Sequence, residues 1–318
     1  MGENVRISKR NAFLCKENEL EDKNMKLRKL AALLLAAVCT VSLIACGGND
    51  ATGDKDNGGS KETVTAKVME YDLTSEQYAF GVDKAQPELL TKVNDFVKKI
   101  KEDGTLEAIC DKYFGDGEPT AVTSATLDTS KDQLVVATNA EFAPFEYTEG
   151  DKYYGIDMEI AALLAEELQM ELVISNMDFD SVCMEVGQHK CDIAMAGLTV
   201  STDREEHVTF SESYYEASQR IIVPSNDTVF AECASADDIL AKLAEMDEKV
   251  KIGVQNGTTG QIFLEGDADW GFDGYAVTCV GYKNGALAVQ DMLNGNIDYV
   301  IIDAAPATAI TDAINALR

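Results

Sequence analysis

The chain has 318 residues, 46% hydrophobic and 7% aromatic, enough for the core of one large domain or two small ones. Its 27 basic against 56 acidic side chains give a formal net charge of −29, which excludes a nucleic-acid partner and makes any membrane attachment depend on an apolar or covalent anchor. Two histidines, His189 and His207, are too few for a histidine-built zinc centre, and eight cysteines are too sparse for a disulfide scaffold.

The first 24 residues carry no pattern, and Met25 is the better start. A basic segment at 25–29 (MKLRK) leads into sixteen apolar residues at 30–45. That run is shorter than the about 20 residues a membrane span needs, and it suits the apolar part of an export signal. It ends in Leu43-Ile44-Ala45-Cys46-Gly47, which resembles a bacterial lipobox. Residues 1–45 are therefore expected to be removed, leaving a lipidated Cys46 as the mature N-terminus. Segment 46–66 is rich in Gly, Asp, Asn, Ser and Thr. Its few apolar side chains cannot offset its ordering entropy, so it is predicted to be a flexible tether. Beyond it stand Cys110, Cys183, Cys191, Cys233 and Cys279. Their odd number leaves at least one unpaired within the chain, and Cys183 and Cys191 are either bridged or two buried thiols.

In the next segment, strands are predicted at 67–72 and 78–82. Pro87 suits the first position of a helix whose Leu89, Leu90, Val93, Phe96, Val97 and Ile100 share one face, and Gly104 ends it. A shorter helix is predicted at 105–114. Segment 67–115 has too little core to stand alone. Residues 116–130 are polar and read as a flexible linker. From 131 onward, short apolar runs alternate with amphipathic stretches. Strands are predicted at 133–138, 171–175, 192–195, 219–223, 250–254, 275–280 and 298–302, and helices at 157–168, 181–188, 236–247, 258–264, 285–294 and 304–316. Asp157 occupies an N-cap position, and Ser235 with Asp238 three residues on resembles a capping box. This alternation predicts an α/β fold of parallel sheets covered by helices.

Several motifs stand at informative spacing. They are ATNAEFAPFEY at 137–147, Gly155-Ile156-Asp157, AGLTVSTDR at 196–204, Val208-Thr209-Phe210-Ser211, Tyr214-Tyr215, GVQNGTT at 253–259 and Ile301-Ile302-Asp303. Each is weak alone. Together they resemble solute-binding protein family 3, the extracytoplasmic receptors of ABC importers for polar amino acids. In that family a YAxxV strand, a helix beginning near PELL and a final DGTLxxIxxKYFG close the domain. Here YAFGV at 78–82, PELL at 87–90, DGTL at 103–106 and KYFG at 112–115 precede it. The order implies a circular permutation in which 116–130 joins the family's usual C-terminus to its usual N-terminus. Surface termini that lie close together make such a rearrangement inexpensive, and a flexible linker of about 16 residues spans roughly 20–24 Å. A truncated tandem copy and a domain-swapped dimer are the alternatives.

The resemblance implies a bilobed, periplasmic-binding-protein-like type II fold, with two parallel-sheet lobes joined by hinge strands near 77–81 and 220–224. Lobe 1 would comprise about 82–115 and 131–220, and lobe 2 about 66–76 and 225–318. Arg204 would grip a ligand carboxylate as a bidentate fork, aided by backbone N–H groups at Thr258 and Thr259 where a strand turns into a helix. Asp303 would hold the ligand's ammonium group together with the Gly197 carbonyl and the Thr199 hydroxyl. Asp303 also stands where a helix N-cap belongs. Phe142 and Phe179 would sandwich the ligand side chain. Asn139 departs from the Asp often found there in receptors for basic amino acids. Neither its amide nor Gln255 supplies a charge, so a neutral polar amino acid is expected.

Contacts made only on closure would favour the closed form. That form would dock on an ABC permease driven by its ATPase, while the lipid at Cys46 holds a monomeric receptor on the outer face of the cell membrane. No cofactor, metal or catalytic activity is expected, because the sequence shows no Gly-x-Ser-x-Gly, nucleophile–base pair or metal cluster. Two further readings are an extracytoplasmic enzyme of this fold, similar to cyclohexadienyl dehydratase, and a sensory amino-acid receptor.

Overall fold

Two mixed sheets organise the chain. The computed structural model describes residues 63–318, so the signal, the start at Met25, Cys46 and nearly all of the tether lie outside the described residues. The strands β1 (Ala66–Val68), β2 (Glu76–Tyr78) and β3 (Gly81–Asp83) precede the helices α1 (Pro87–Glu102) and α2 (Thr105–Phe114). Then come β4 (Gln133–Thr138), β5 (Glu141–Phe142), β6 (Glu146–Glu149), β7 (Lys152–Tyr154), α3 (Ile156–Leu168), β8 (Glu171–Asn176), α4 (Val182–Gly187), β9 (Ile193–Ala194), β10 (Val208–Phe210), β11 (Tyr215–Ala217) and β12 (Gln219–Pro224). The last part is α5 (Ala236–Ala244), β13 (Lys251–Gln255), α6 (Thr259–Glu265), β14 (Thr278–Tyr282), α7 (Gly285–Leu293), β15 (Tyr299–Asp303) and α8 (Ala304–Asn315).

One five-stranded sheet has the order β10-β3-β9-β4-β8 and forms lobe 1; the other, β1-β12-β15-β13-β14, forms lobe 2. In each, three mutually parallel strands are extended by two more through antiparallel pairings, so that one strand, β3 in lobe 1 and β12 in lobe 2, runs against the other four. The expected parallel sheets thus carry antiparallel pairings as well: β1 and β3 enter from the early segment and pair antiparallel with their neighbours. Segment 66–83 thus supplies a strand to both lobes. The apolar run at β4 is buried on both faces, as a central strand covered by helices on both sides requires. Pro87 opens α1, and Val93, Phe96, Val97 and Ile100 form its buried face.

Between the sheets, β2 pairs antiparallel with β11, Tyr78 opposite Tyr215. The first crossing, at β2, overlaps the expected 77–81 at Gln77 and Tyr78. The second lies at β11, ahead of the expected 220–224, because β12 already pairs with β15 and β1 and buries Ile221, Ile222 and Val223 in the lobe 2 sheet.

The linker at 116–130 is not free coil. Val122 bridges to Tyr153 and packs with Met158 and Ile174; Ala125 N–H donates to Leu172 O, and Ser124 Oγ accepts from Ile174 N–H. It covers the otherwise unpaired edge of β8. At the other end, Asn315 brackets the first strand, accepting from Ala66 N–H at 2.9 Å and donating to Ala66 O at 2.8 Å. Cys183 and Cys191 are separate buried thiols rather than a bridge. Ser235 caps α5 through Asp238 N–H, as the capping-box motif suggests. Asp157 is no N-cap: α3 begins at Ile156 after Gly155, and the Asp157 carboxylate turns inward.

Candidate functional site

The site is assembled from loops at the strand ends that face each other between the lobes. On lobe 1, β9 runs into the turn 195–203 and then a short 3-10 turn that starts at Arg204. Gly197 adopts φ +54°, and a Cβ there would stand 3.1 Å from the Phe142 ring, so this position favours glycine for both reasons. Its N–H donates to Asp157 Oδ2 at 2.9 Å, and Tyr214 donates to the other Asp157 oxygen. The turn is therefore pinned from below by a buried carboxylate.

Arg204 is 7% exposed. It donates to Thr199 O at 2.8 Å and, across the cleft, to Gly257 O at 3.1 Å. Its guanidinium carbon lies 5.3 Å from the Phe179 ring centre and 5.5 Å from that of Trp270. Phe179 thus faces the guanidinium, while Phe142 stacks toward Phe145 with centroids 6.2 Å apart. On lobe 2, β13 ends in the turn that carries Gly257, Thr258 and Thr259 at the start of α6. Thr258 Oγ1 is turned back to Gln255 O, whereas Thr259 Oγ1 donates across the cleft to Thr199 Oγ1 at 3.1 Å. Asn139 bridges both lobes: it donates to Met177 O at 2.7 Å and accepts from Gln255 Nε2 at 3.0 Å. Trp270 Nε1 reaches Asp203 at 3.0 Å, and Asn284 reaches Glu141. The lobes are closed on one another.

Asp303 ends β15 and precedes α8, yet makes no side-chain cap. Its Oδ1 accepts from Tyr78 Oη, and the residue is 4% exposed. Burial, and then the charge of Glu76, pushes its pKa up to about 7. Asp157 is likewise pushed up to about 7 by burial, opposed by its bonds from Gly197 and Tyr214. Glu146 is fully buried, and its two oxygens have no hydrogen-bond partner among the described residues. Burial, Asp157 and Asp303 hold it well above the usual carboxylate range.

All nine residues expected at the site, Asn139, Phe142, Phe179, Gly197, Thr199, Arg204, Thr258, Thr259 and Asp303, line this region or stand one contact from it. The reading from sequence missed Glu76, Tyr78, Asp157, Gln255 as an interlobe donor, and Trp270. Trp270 carried a signal, being the chain's single tryptophan. A cavity of about 140 Å³ lies beside Asp303 at the hinge, lined also by Tyr78, Phe145, Tyr215 and Arg220. A larger depression of about 640 Å³ runs along exposed linker residues 125–131, far from any of these groups, and has no convergent chemistry. Among the described residues no acidic, His or Cys cluster could hold a metal, and no helix is long and apolar enough to cross a membrane.

The model of the bacterial extracellular solute-binding proteins, family 3, matches residues 5–116 and 134–305. The arginine-binding extracellular protein ArtP of Bacillus subtilis is 35% identical over 95 residues, 30% of this chain and 37% of that protein. The putative ABC transporter arginine-binding protein 2 of Escherichia coli is 30% identical over 182 residues, 57% of this chain and 67% of that protein. The chain thus spans between about one third and two thirds of the length of these curated relatives. A solved ancestral arginine-binding protein bound to arginine superposes with a TM-score of 0.49 at 28% identity, covering 58% of this chain and 76% of that one.

Proposed function

Because the chain belongs to the bacterial extracellular solute-binding proteins, family 3, we propose that it is an extracytoplasmic receptor that binds a polar α-amino acid between its lobes and hands it to an ABC importer. One observation carries this reading: a buried guanidinium, Arg204, and a buried carboxylate, Asp303, belong to opposite lobes of one cleft, with Thr199 and Thr259 meeting across it. An α-amino acid carries the complementary pair of charges. Arg204 is the carboxylate fork; Asp303, Gly197 O and Thr199 Oγ1 take the ammonium; Phe142 and Phe179 are the apolar walls. The site's own hydrogen bonds, such as Arg204 to Gly257 O, exchange for ligand contacts on binding.

Both curated relatives are described as binding arginine. In this chain the Asn139 amide is engaged by Met177 O and Gln255, and neither side chain adds a negative charge where a cationic side chain would end. A neutral polar amino acid is the ligand proposed. Lipid attachment at Cys46 and association of a monomer with permease and ATPase complete the proposal.

Circular permutation is part of it. The family model matches two blocks separated by the linker. Asn315, at the end of α8, holds Ala66 at the start of β1, so the two ends that a conventional order would join are already in contact.

A thermal-shift screen of the common amino acids tests the function. A ligand at about 100 times its Kd adds roughly 2.7 kcal/mol of stability. A shift with a neutral polar amino acid, lost in Arg204→Ala and Asp303→Ala proteins that still fold, is the expected result; no shift with any amino acid would defeat the reading.

A further inference from the structure

Glu76 has no part in the site as read from sequence, yet it sits at its centre of connectivity. It lies on the crossing strand β2, outside both main sheets, and is 6% exposed. Donors from three places converge on its carboxylate. Thr74 Oγ1 comes from its own crossing segment, Gln219 Nε2 from the start of β12 at 3.1 Å and 3.4 Å, and Thr199 Oγ1 from the lobe 1 turn at 2.8 Å. A carboxylate accepts and does not donate. The single hydroxyl proton of Thr199 is therefore committed to Glu76, and the Thr199 oxygen is left as an acceptor. In the closed cleft that acceptor takes the Thr259 hydroxyl of lobe 2.

We propose that Glu76 is a positioning residue that fixes Thr199 as an acceptor, joining hinge, lobe 1 and lobe 2 in one hydrogen-bond chain that latches the closed form. The same oriented oxygen then serves a ligand ammonium; this second role rests on the proposed amino-acid receptor function, whereas the latch does not. An ordinary buried strut would need only the bonds from Thr74 and Gln219. The bond to Thr199, continued to Thr259, is what a strut does not require. The charge of Glu76 also acts on Asp303, so both acids reinforce demand for a cation at this point.

Trp270 is the only tryptophan and makes its contacts to Asp203 and Arg204 across the cleft, so its emission and acrylamide quenching report closure without a ligand. Glu76→Gln sets an amide N–H₂ against converging donors. It should raise the open-to-closed ratio about fivefold, the order expected for one lost net hydrogen bond. Thr259→Val should do the same, and the double variant should do no more than either. Thr199→Ser should match the parent and Thr199→Val should match Glu76→Gln, which decides the matter even if the Glu76 variant folds poorly. Parent-like quenching in Glu76→Gln and Thr199→Val, or additive effects in the double variant, would overturn the latch. In L-glutamine titrations, Glu76→Gln should weaken binding at least tenfold, and binding of the corresponding α-hydroxy acid, which lacks the ammonium and feels only the shifted closure, by no more than about fivefold. A parent that binds no amino acid would defeat the proposed function, while the quenching series would still decide the latch.

Discussion

The two lobes share a strand plan and differ in how their cleft groups are held. On lobe 1 the site is secured from within: Asp157 pins the Gly197 turn, and Arg204 is seated on Thr199 O and against the Phe179 ring. On lobe 2 the equivalent groups find their partners elsewhere. Thr259 reaches Thr199, Gln255 reaches Asn139, and Asp303 is held by Tyr78 of the crossing strand. Lobe 1 is thus preassembled, and lobe 2 becomes complete only against lobe 1 and the hinge. Closure of such a pair is a chemical event as well as a rigid-body one.

The strongest way to break this comparison is to remove what the lobes share. Deleting 64–115 takes β1 from one sheet and β3 from the other, together with α1 and α2, and exposes both cores. The product is expected not to fold, as read by circular dichroism and thermal melting; a monomer with the parent Tm would refute the single interleaved domain. Arg204→Ala comes next. Losing a buried, hydrogen-bonded charge costs about 2–5 kcal/mol, so amino-acid affinity by calorimetry should fall at least about 30-fold while the protein still folds. Asp157→Ala leaves the Gly197 N–H unpaired and should cost about 1–3 kcal/mol in denaturant unfolding. It tests whether lobe 1 is indeed preassembled, since a change within error would mean that the turn holds itself. Trp270→Phe should be smallest, about 1 kcal/mol or less in affinity, because its bond to Asp203 lies on the exposed rim.

Titration addresses the ligand-facing carboxyl of lobe 2. Asp303 has a folded pKa of about 7 against a usual value of 3.8. Between those values the folded state keeps a proton that the unfolded state has lost, so this group's contribution to stability falls as pH rises through that window. An ammonium ligand prefers the charged carboxylate. Affinity should therefore rise with pH toward about 7, with proton release visible as a buffer-dependent binding enthalpy. Asp303→Asn should abolish the release attributable to this group.

Much of this was legible in the chain. Periodicity placed α1, α3 and α5 to within a few residues, and Pro87 and Ser235 marked two helix starts. Motif spacing gathered the expected site residues into one cleft. Two of the expectations that failed show how tertiary context overrides local signals. Asp157 had the right residue type for an N-cap, but a buried backbone N–H at Gly197 offered it a better partner. The polar linker looked like coil, but the open edge of β8 supplied hydrogen bonds and a pocket for Val122.

The sequence by itself determined the α/β class and the residue types at the cleft, because these depend on local periodicity and on motifs a few residues long. Only the tertiary structure decided which donor meets which acceptor. Glu76 and Thr199 lie 123 residues apart, and Tyr78 and Asp303 lie 225 apart. No local pattern encodes such pairings. They arise because two crossing strands and two folded sheets bring those side chains to the same buried point, where each polar group must find a partner.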